Sequence, residues 1–422
     1  MSGEWSAKNP YSTTITERYV LNGPGAKKET CHIAFDLGDS GMTYKVGDAL
    51  GVLPENPPAL VEALIQRMGW DADLMVTTSK GERTLAQALK TDVEIHRANK
   101  KFVQSLASKI TRPGLAITMG MIRRTREDTN GSTVLDWSNE ASSTPPGLNP
   151  SVGGQGPADQ VEAVLATPEA LEDYIWSRDY LDIVEQFDLK YEPQEFIDLV
   201  DRLKPRLYSI SSSPDAHPGL VELTVGIVRY AHHGRERGGL CTVYLADEVE
   251  VDRTKIGVFM SPTKSFVLPE DGATDIIMVG PGTGIAPFRA FMEQRIHDGA
   301  TGRNWLFFGD WSESTEFYYE DTIKQWMVDG SLTTFTSAWS RDQEEKIYVQ
   351  HRMLEHGEEM WSWIDGGAYF YICGDKNRMA KDVHAALIRI CAEHGGMTED
   401  EATHFVEKRM MREEKRYLRD VY

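Results

Sequence analysis

The stretch Ile276-Ile-Met-Val-Gly-Pro-Gly-Thr-Gly-Ile-Ala-Pro-Phe288 decides the expected fold of the C-terminal part of this chain. Its four apolar residues predict a short buried strand, its glycines predict a tight turn, and Pro287 suits the first turn of a helix. Such a turn lets the backbone approach a pyrophosphate, and the helix N-terminus offers free N–H groups. The spacing is not Gly-x-Gly-x-x-Gly, so the usual dinucleotide fingerprint is absent, and a purely structural turn stays open for this motif alone.

Strand and helix signals alternate on both sides of this stretch. Residues 305–309 predict a second strand, and residues 368–373 predict a later one that is followed by another helix. This alternation predicts a parallel sheet with helices on both faces. Earlier in the chain, strand signals dominate at 11–20, 31–37, 44–54, 206–213, 220–230 and 255–261. Helical spacing of apolar residues separates these two groups of strands, so a β domain with a helical insert is expected before the α/β domain.

The composition excludes several classes of protein. The 422 residues include 45 Lys and Arg against 65 Asp and Glu, a formal net charge of −20, which argues against nucleic acid and anionic membranes as partners. No apolar run approaches about 18 residues, and the N-terminus lacks a signal-peptide pattern. The four cysteines form no Cys-x-x-Cys pair, so no metal site or disulfide framework is expected, and the predicted location is cytoplasmic.

Two signals compete for the ribose of a nucleotide. Asp310 follows the predicted strand 305–309, and an acid at that place would favour NAD. Arg341 and Lys346 lie further on and could clamp a 2′-phosphate, which would favour NADP. The hydrogen-bond donors of this second segment are Ser340, Tyr348 and Gln350. Taken alone, the second segment is also typical of a solvated charged loop.

Two motifs in the strand-rich part of the sequence suggest a flavin. In Arg206-Leu-Tyr-Ser209 the Arg suits a pyrophosphate, the Tyr can cover an isoalloxazine ring and the Ser can meet a ring nitrogen. Gly238-Gly-Leu-Cys-Thr242 opens a predicted helix and is a second anion site. An ordinary amphipathic strand and a simple helix cap are the alternatives for these two motifs.

Two further segments carry chemistry near the C-terminus. Cys373-Gly-Asp375 lies at the end of a predicted strand, where ligands of parallel sheets gather, although buried cysteines are usually inert packing. Arg416-Tyr-Leu-Arg-Asp-Val-Tyr422 is aromatic to its last residue, and a frayed tail is the alternative.

The order of these motifs resembles the ferredoxin–NADP reductase-like module of the diflavin reductases, and within that family the sulfite reductase flavoproteins. The likeness covers about residues 8–125 and 165–422. It implies an antiparallel FAD-binding β-barrel formed by residues 1–60 and 199–268. A helical connecting insert, 61–198, would carry a flexible loop at about 126–160, and a parallel-sheet NADP-binding α/β domain would span 269–422.

The resemblance also implies a role for individual residues. Ser209, Cys373 and Asp420 would surround the reacting atoms of flavin and nicotinamide, and Tyr422 would stack on the flavin ring. The residues expected to hold FAD are Arg206, Tyr208, Ser209, Thr224, Gly226, Tyr230, Gly239, Leu240, Cys241 and Thr242. Those expected to hold the nicotinamide nucleotide are Gly282, Thr283, Gly284, Ser340, Arg341, Lys346, Tyr348, Gln350, Met379 and Asp382.

The implied activity is hydride transfer from NADPH to FAD, followed by electron transfer to a separate protein. This overrides the NAD interpretation of Asp310. FMN is not expected in this chain, because the likeness includes no flavodoxin-like domain. The implied acceptor is a sulfite reductase haemoprotein, a flavodoxin-like protein or both. A general NADPH–flavodoxin, ferredoxin or cytochrome reductase, and a non-catalytic nucleotide-binding module, are the alternatives.

Overall fold

The structure, a computed structural model, describes residues 5–110 and 156–422. Two compact units divide the chain, one formed by Met1–Glu55 with Lys204–Tyr422 and the other by Asn56–Leu203. The predicted loop at 126–160 lies outside the described residues up to position 155. Its last residues differ from the prediction, because Pro157 occupies the first turn of a helix and fits there without needing an N–H donor.

The first unit begins with four strands. They are β1 (Tyr11–Thr13), β2 (Ile15–Val20), β3 (Glu29–Asp36) and β4 (Ala49–Leu53). Side chains of β3 are buried along most of its length, and β2 pairs with one of its edges.

The second unit is mainly helical. Its elements are α1 (Pro58–Met68), β5 (Met75–Thr78), β6 (Gly81–Thr84), α2 (Leu85–Thr91), α3 (Lys100–Lys109), α4 (Pro157–Leu165), α5 (Pro168–Trp176), α6 (Tyr180–Gln186) and α7 (Pro193–Leu199). Phe102, Tyr180 and Phe196 are fully buried and pack edge to face in its core. The antiparallel hairpin of β5 and β6 is an addition to the predicted helical insert.

The chain then returns to the first unit. The next elements are β7 (Arg206–Ser209), β8 (Leu220–Ile227), β9 (Arg229–His232), β10 (Arg235–Gly238), α8 (Leu240–Val243) and β11 (Ile256–Ser261). The predicted strand 220–230 is broken, because Val228 leaves the ladder and bonds with Gly239 and Thr242 instead. The helix predicted at 240 has only one turn before π-helical residues Tyr244–Glu248 follow.

Seven of these strands form two antiparallel sheets, which we call the barrel. One sheet has the order β1-β11-β4-β7 and the other has the order β2-β3-β8. A bridge between Ile210 and Leu223 links them. Their apolar faces meet in one core that includes Phe35, Val52 and Val258, all fully buried.

The remainder of the first unit alternates strands and helices. Its elements are β12 (Ile276–Val279), a 3₁₀ turn (Gly282–Ile285), α9 (Ala286–His297), β13 (Asn304–Asp310), α10 (Glu313–Glu316), α11 (Glu320–Asp329), β14 (Thr334–Trp339), α12 (Val349–Glu355), α13 (Gly357–Asp365), β15 (Tyr369–Gly374), α14 (Met379–Gly395), α15 (Glu399–His404), a π-helical segment (Phe405–Glu413) and β16 (Tyr417–Val421). The five strands form one parallel sheet of order β14-β13-β12-β15-β16. The predicted fold class, an antiparallel β domain with a helical insert followed by a parallel-sheet α/β domain, is confirmed.

Both faces of the parallel sheet are covered. Helices α12 to α14 pack on the face that carries Trp305, Phe307 and Phe370. The opposite face packs against α9, and the same cluster includes Val46 and Phe266 from outside the sheet. The barrel and the sheet therefore share apolar contacts, which fix their relative position within this unit. Among the described residues, no helix has the length and apolar character needed to cross a membrane.

The C-terminal strand β16 is the edge of the parallel sheet. It pairs with β15 in a register that sets Asp420 opposite Cys373 and Val421 opposite Gly374. The alternative of a frayed tail is therefore wrong. Because all five strands are parallel, their carboxyl ends meet at one edge, which is where ligands of such sheets bind.

Candidate functional site

Asp420 accepts hydrogen bonds from two side chains at the carboxyl edge of the sheet. The hydroxyl of Ser209 donates to Asp420 Oδ2 at 2.5 Å, and the thiol of Cys373 lies 3.8 Å from the same oxygen. Ser209 comes from the barrel strand β7, whereas the other two residues come from β15 and β16. The structure therefore brings together all three residues that were expected to surround the reacting atoms.

Cys373 is a neutral thiol in this setting. Its side chain is fully buried, and burial raises its pKa well above the usual range, with a further contribution from the Asp420 carboxylate. A thiolate would have to lie beside that carboxylate in a dry environment, which is unfavourable. Cys373 can therefore donate a hydrogen bond and pack against a ligand, but it is not an activated nucleophile.

The last residue, Tyr422, is held on both its main chain and its side chain. Its backbone N–H donates to Gly374 O at 3.2 Å, and its carbonyl accepts from the N–H of Lys376 at 3.1 Å. Its hydroxyl lies 3.0 Å from the hydroxyl of Thr283 in the glycine-rich turn. The residue as a whole is nevertheless 61% exposed.

The glycines of the turn after β12 are required for different structural reasons. A Cβ at Gly280 would lie 2.4 Å from Gly284 O, and a Cβ at Gly284 would lie 2.2 Å from Cys373 O. Packing alone therefore requires glycine at positions 280 and 284, which agrees with the alternative of a purely structural turn. Gly282 has φ of 59°, and the nearest atom to a Cβ there is Asp310 Oδ2 at 3.6 Å, so this part of the turn keeps open space.

Thr283 links the turn to the barrel. Its methyl group would lie 3.3 Å from a Cβ at Gly226 on strand β8. A side chain at position 226 would therefore press on Thr283, whose hydroxyl contacts Tyr422. Thr224, two residues earlier on the same strand, is buried and lies 2.7 Å from the hydroxyl of Tyr319, so its side chain is already engaged inside the protein.

The residues expected to hold the flavin lie on neighbouring barrel elements. Arg206 and Tyr208 are partly exposed on β7, and the guanidinium of Arg206 donates to Lys204 O at 2.9 Å. Tyr208 interacts with Cys241, whose pKa rises to about 12 because the thiol is buried. Cys241 is therefore a neutral thiol near pH 7.

The second glycine pair, Gly238 and Gly239 at the junction of β10 and α8, shapes a tight corner. A Cβ at Gly238 would lie 2.1 Å from a methyl of Val243, and a Cβ at Gly239 would lie 2.7 Å from Thr242 Oγ1. Thr242 donates to Gly239 O at 3.1 Å, so its hydroxyl serves as a cap in this structure. Leu240 is buried in the same helical turn, and Tyr230 stands on the β9–β10 hairpin with 41% of its surface exposed.

The expected 2′-phosphate segment follows strand β14. The N–H of Ser340 donates to Asp310 O at 2.9 Å, and the N–H of Arg341 donates to Trp311 O at 2.8 Å. The guanidinium of Arg341 lies 3.3 Å from the centroid of the Trp311 ring. Lys346 and Tyr348 are exposed in the following loop.

Helix α12, which follows this loop, approaches the start of helix α14. The amide of Gln350 lies 3.4 Å from Asp382 Oδ2 in the first turn of α14. Met379, at the start of that helix, has its terminal methyl 3.0 Å from the Cβ position of Gly374. The residues expected to hold the nucleotide thus lie in the segments that follow the carboxyl ends of β12, β14 and β15.

Asp310 has no free carboxylate oxygen for a ribose. Its Oδ1 pairs with Lys28 and accepts the N–H of Trp311 at 2.7 Å, and its Oδ2 accepts the hydroxyl of Tyr318 at 3.2 Å. Its side chain is only 3% exposed. The NAD interpretation of this residue therefore fails on geometry, as the resemblance already suggested.

Sequence reasoning missed a buried ionic cluster between β8 and α9. Arg289 pairs with Glu222 and, at 2.9 Å, with Glu293, while His217 lies 3.2 Å from each of these carboxylates. The spacing of Arg289 and Glu293 by four residues on one helix was a visible signal. Their barrel partners were not visible, because they lie about seventy residues earlier in the chain.

The residues of this edge fit a flavin and a nicotinamide nucleotide. Gly282 leaves space that any Cβ would fill, Tyr422 and Tyr230 offer exposed rings, and Arg206 and Arg341 are cations suited to phosphate. The group of Ser209, Cys373 and Asp420, of which Cys373 is fully buried, supplies hydrogen bonds beside Tyr422. Each individual residue assignment stays a prediction.

Two known families match this chain. Residues 3–115 and 167–244 match the FAD binding domain, and residues 278–385 match the oxidoreductase NAD-binding domain. These matches confirm the expected FAD-binding and NAD-binding parts, in the expected order.

Whole-chain relatives carry the same pattern. The sulfite reductase [NADPH] flavoprotein alpha-component of Bacillus subtilis (strain 168) is 40% identical over 423 residues, which covers 99% of this chain. Those of Photorhabdus laumondii and Pectobacterium atrosepticum are each 38% identical over 421 residues, which covers 100% of it. The chain spans 62%, 62% and 61% of the lengths of these three relatives. On these matches the chain carries an FAD-binding domain and an oxidoreductase NAD-binding domain in one polypeptide, and it is similar along its whole length to part of these flavoproteins.

Proposed function

We propose that this chain is an NADPH-dependent flavoprotein reductase that delivers electrons to a separate redox protein. The acceptor that fits its relatives best is a sulfite reductase haemoprotein, reached directly or through a flavodoxin-like protein. The observation that carries the proposal is the Asp420 carboxylate, which accepts from Ser209 and Cys373 at the carboxyl edge of the nucleotide-binding sheet.

The bound cofactors would supply hydride transfer from nicotinamide to flavin and onward electron transfer, which is their own chemistry. The chain supplies orientation and electrostatics. Asp420 fixes the hydroxyl of Ser209 and the thiol of Cys373, and its negative charge favours positive charge that develops nearby. Arg341 and Lys346 supply positive charge for a 2′-phosphate, with Ser340, Tyr348 and Gln350 as partners.

Tyr422 acts as a gate in this proposal. Its ring occupies a place next to the Asp420 group, and its hydroxyl contact with Thr283 must break before the ring can move. Because β16 holds the preceding residues in the sheet, the motion is confined to the last residue. A gate of this kind is a conformational step that can limit turnover.

The barrel, the helical insert and the α/β domain are assigned the boundaries given above, 1–60 with 199–268, 61–198 and 269–422, and the cytoplasm is the proposed location. These assignments follow from the same resemblance and from the cofactors it implies.

The test is an anaerobic titration of the purified protein. A yellow protein with one FAD per chain that is bleached far faster by NADPH than by NADH supports the proposal. A colourless protein that cannot be reconstituted with FAD overturns it. Sulfite reduction on addition of a sulfite reductase haemoprotein identifies the acceptor, whereas activity with flavodoxin or ferredoxin alone would favour a general reductase.

A further inference from the structure

Asp310 occupies the end of strand β13, beside the segment expected to hold the 2′-phosphate. Its main chain and that of Trp311 accept hydrogen bonds from the N–H groups of Ser340 and Arg341, at 2.9 and 2.8 Å. The hydroxyl of Ser340 also donates to Asp310 O at 3.1 Å. A negative charge on Asp310 therefore lies close to the place where a nucleotide phosphate would be held by Arg341.

This carboxylate is neutralised by a cation from the barrel. Lys28, in the segment that connects β2 and β3, forms an ion pair with Asp310 Oδ1. The Lys28 ammonium also lies 4.4 Å from the centroid of the Trp311 ring, on which Arg341 stacks. Two cations and one carboxylate thus converge on Trp311, and the sum of their charges is positive.

The segment that carries Lys28 is held firmly against the residues after β13. The N–H of Gly23 donates to Thr315 O at 2.8 Å, and a Cβ at Gly23 would lie 2.5 Å from Ser314 O. Thr30, at the other end of the segment, donates to the hydroxyl of Tyr318 at 3.0 Å, and that hydroxyl donates in turn to Asp310. Lys28 is therefore positioned by both of its flanks.

We propose that Lys28 is a specificity-determining residue that permits a 2′-phosphorylated nucleotide to bind, by neutralising Asp310. An unpaired carboxylate would repel a phosphate and would offer its oxygens to the hydroxyls of an unphosphorylated ribose, which is how an acid at this position selects NAD. The ion pair with Lys28 removes both the repulsion of the phosphate and the attraction of an unphosphorylated ribose. This inference rests on the proposed use of NADPH, and it assigns part of that preference to the barrel.

The experiment measures binding of 2′,5′-ADP and 5′-ADP to the FAD-loaded protein by calorimetry, together with the ratio of kcat/KM for NADPH and NADH. Lys28→Met should weaken 2′,5′-ADP binding about tenfold, because like charges then face each other, and should leave 5′-ADP binding nearly unchanged. Lys28→Arg should retain the wild-type affinity. Lys27→Met, which removes the same charge from an exposed neighbouring position, is the matched control and should change little.

The double variant Lys28→Met with Asp310→Asn decides the mechanism. If Lys28 acts through Asp310, removing the carboxylate restores 2′,5′-ADP affinity to near the wild-type value. A double variant as weak as Lys28→Met alone would show direct contact between Lys28 and phosphate and would overturn the inference, as would an unchanged Lys28→Met variant. Equal binding of the two nucleotides by the wild-type protein would instead overturn the proposed use of NADPH.

Discussion

Ser209 and Asp420 are 211 residues apart in the chain, yet the Ser209 hydroxyl donates to the Asp420 carboxylate at 2.5 Å. The contact joins a barrel strand to the C-terminal strand of the parallel sheet. Since Cys373 donates to the same oxygen, this carboxylate of β16 fixes groups from two other strands, β7 and β15. The geometry of these three side chains therefore depends on how the barrel packs against the sheet. A substitution of Asp420 should lower the rate of flavin reduction before it lowers the FAD content.

The first prediction concerns that carboxylate. Asp420→Asn should slow flavin reduction by NADPH at least about tenfold, because a neutral amide no longer favours positive charge and orients Ser209 less well. FAD content should not change, because Asp420 lies outside the residues expected to hold the flavin. Stopped-flow single turnovers measure the rate, with Asp400→Asn on an exposed helix as control. A reduction rate within twofold of wild type would remove Asp420 from the mechanism.

The second prediction concerns the gate. Deletion of Tyr422 should lower the preference for NADPH over NADH by about tenfold. The reason is that NADH, which binds more weakly, no longer has to displace the Tyr422 ring from the flavin. Tyr422→Phe keeps the ring but loses the contact with Thr283, so it should retain most of the preference while raising turnover. The ratio of kcat/KM values is the measurement. An unaltered ratio in the deletion variant would contradict gating.

The third prediction follows from the position of His217. Its Nδ1 lies 3.2 Å from Glu222 and its Nε2 lies 3.2 Å from Glu293, and only an imidazolium donates from both nitrogens. The hydrogen bond to Glu293 raises the pKa of His217 above the ordinary value of 6.5, with help from Glu222, although burial and Arg289 oppose the rise. His32 also faces Glu222, but burial lowers its pKa to about 4, so it is neutral near pH 7.

The raised pKa gives a definite direction of pH dependence. Since the folded state binds the His217 proton more tightly than the unfolded state, the stabilisation is complete below about pH 6.5 and is lost as the pH rises through the folded-state pKa. His217→Gln should cost about 1.5 kcal/mol of unfolding free energy at pH 6 and less at pH 9. Denaturant unfolding of both proteins across this range measures the difference. A difference that grows with pH would show that His217 is neutral in the folded protein.

Local pattern was sufficient to predict the glycine-rich turn and its surroundings. The run Ile276–Val279, the glycines and Pro287 each act on their neighbours, so strand, turn and helix follow in order without reference to the rest of the chain. Local sequence also suffices to predict β3 and β15, because their apolar residues are typical of buried strands. The order of motifs then supplied the fold class, which no single motif could have given.

The missed features depend on distant partners. Strand β16 contains Arg419 and Asp420 and lacks a long apolar run, so only its pairing with β15 makes it a strand. The Lys28 pair with Asp310 joins residues 282 positions apart, and no local sequence pattern connects the two side chains. Asp310 shows why local reasoning fails here. The rule that assigns an acid after a strand to a ribose takes no account of the protein groups that already bind the Asp310 carboxylate.

The fourth prediction tests whether the glycine-rich turn and the Asp420 group form one packed unit. A Cβ at Gly284 would lie 2.2 Å from Cys373 O and 2.9 Å from its carbonyl carbon, and a backbone inside a sheet cannot move aside easily. Gly284→Ala should therefore destabilise the protein by about 1–3 kcal/mol and slow flavin reduction, because β15 must shift and carry Cys373 with it. Gly272→Ala is the matched control, since its Cβ would meet Ala300 at an ordinary 3.4 Å. Thermal unfolding and single-turnover reduction measure both effects. A Gly284→Ala variant that matches the control in both would mean that the turn moves independently of Cys373, and that the orientation of the thiol is set from the β16 side alone.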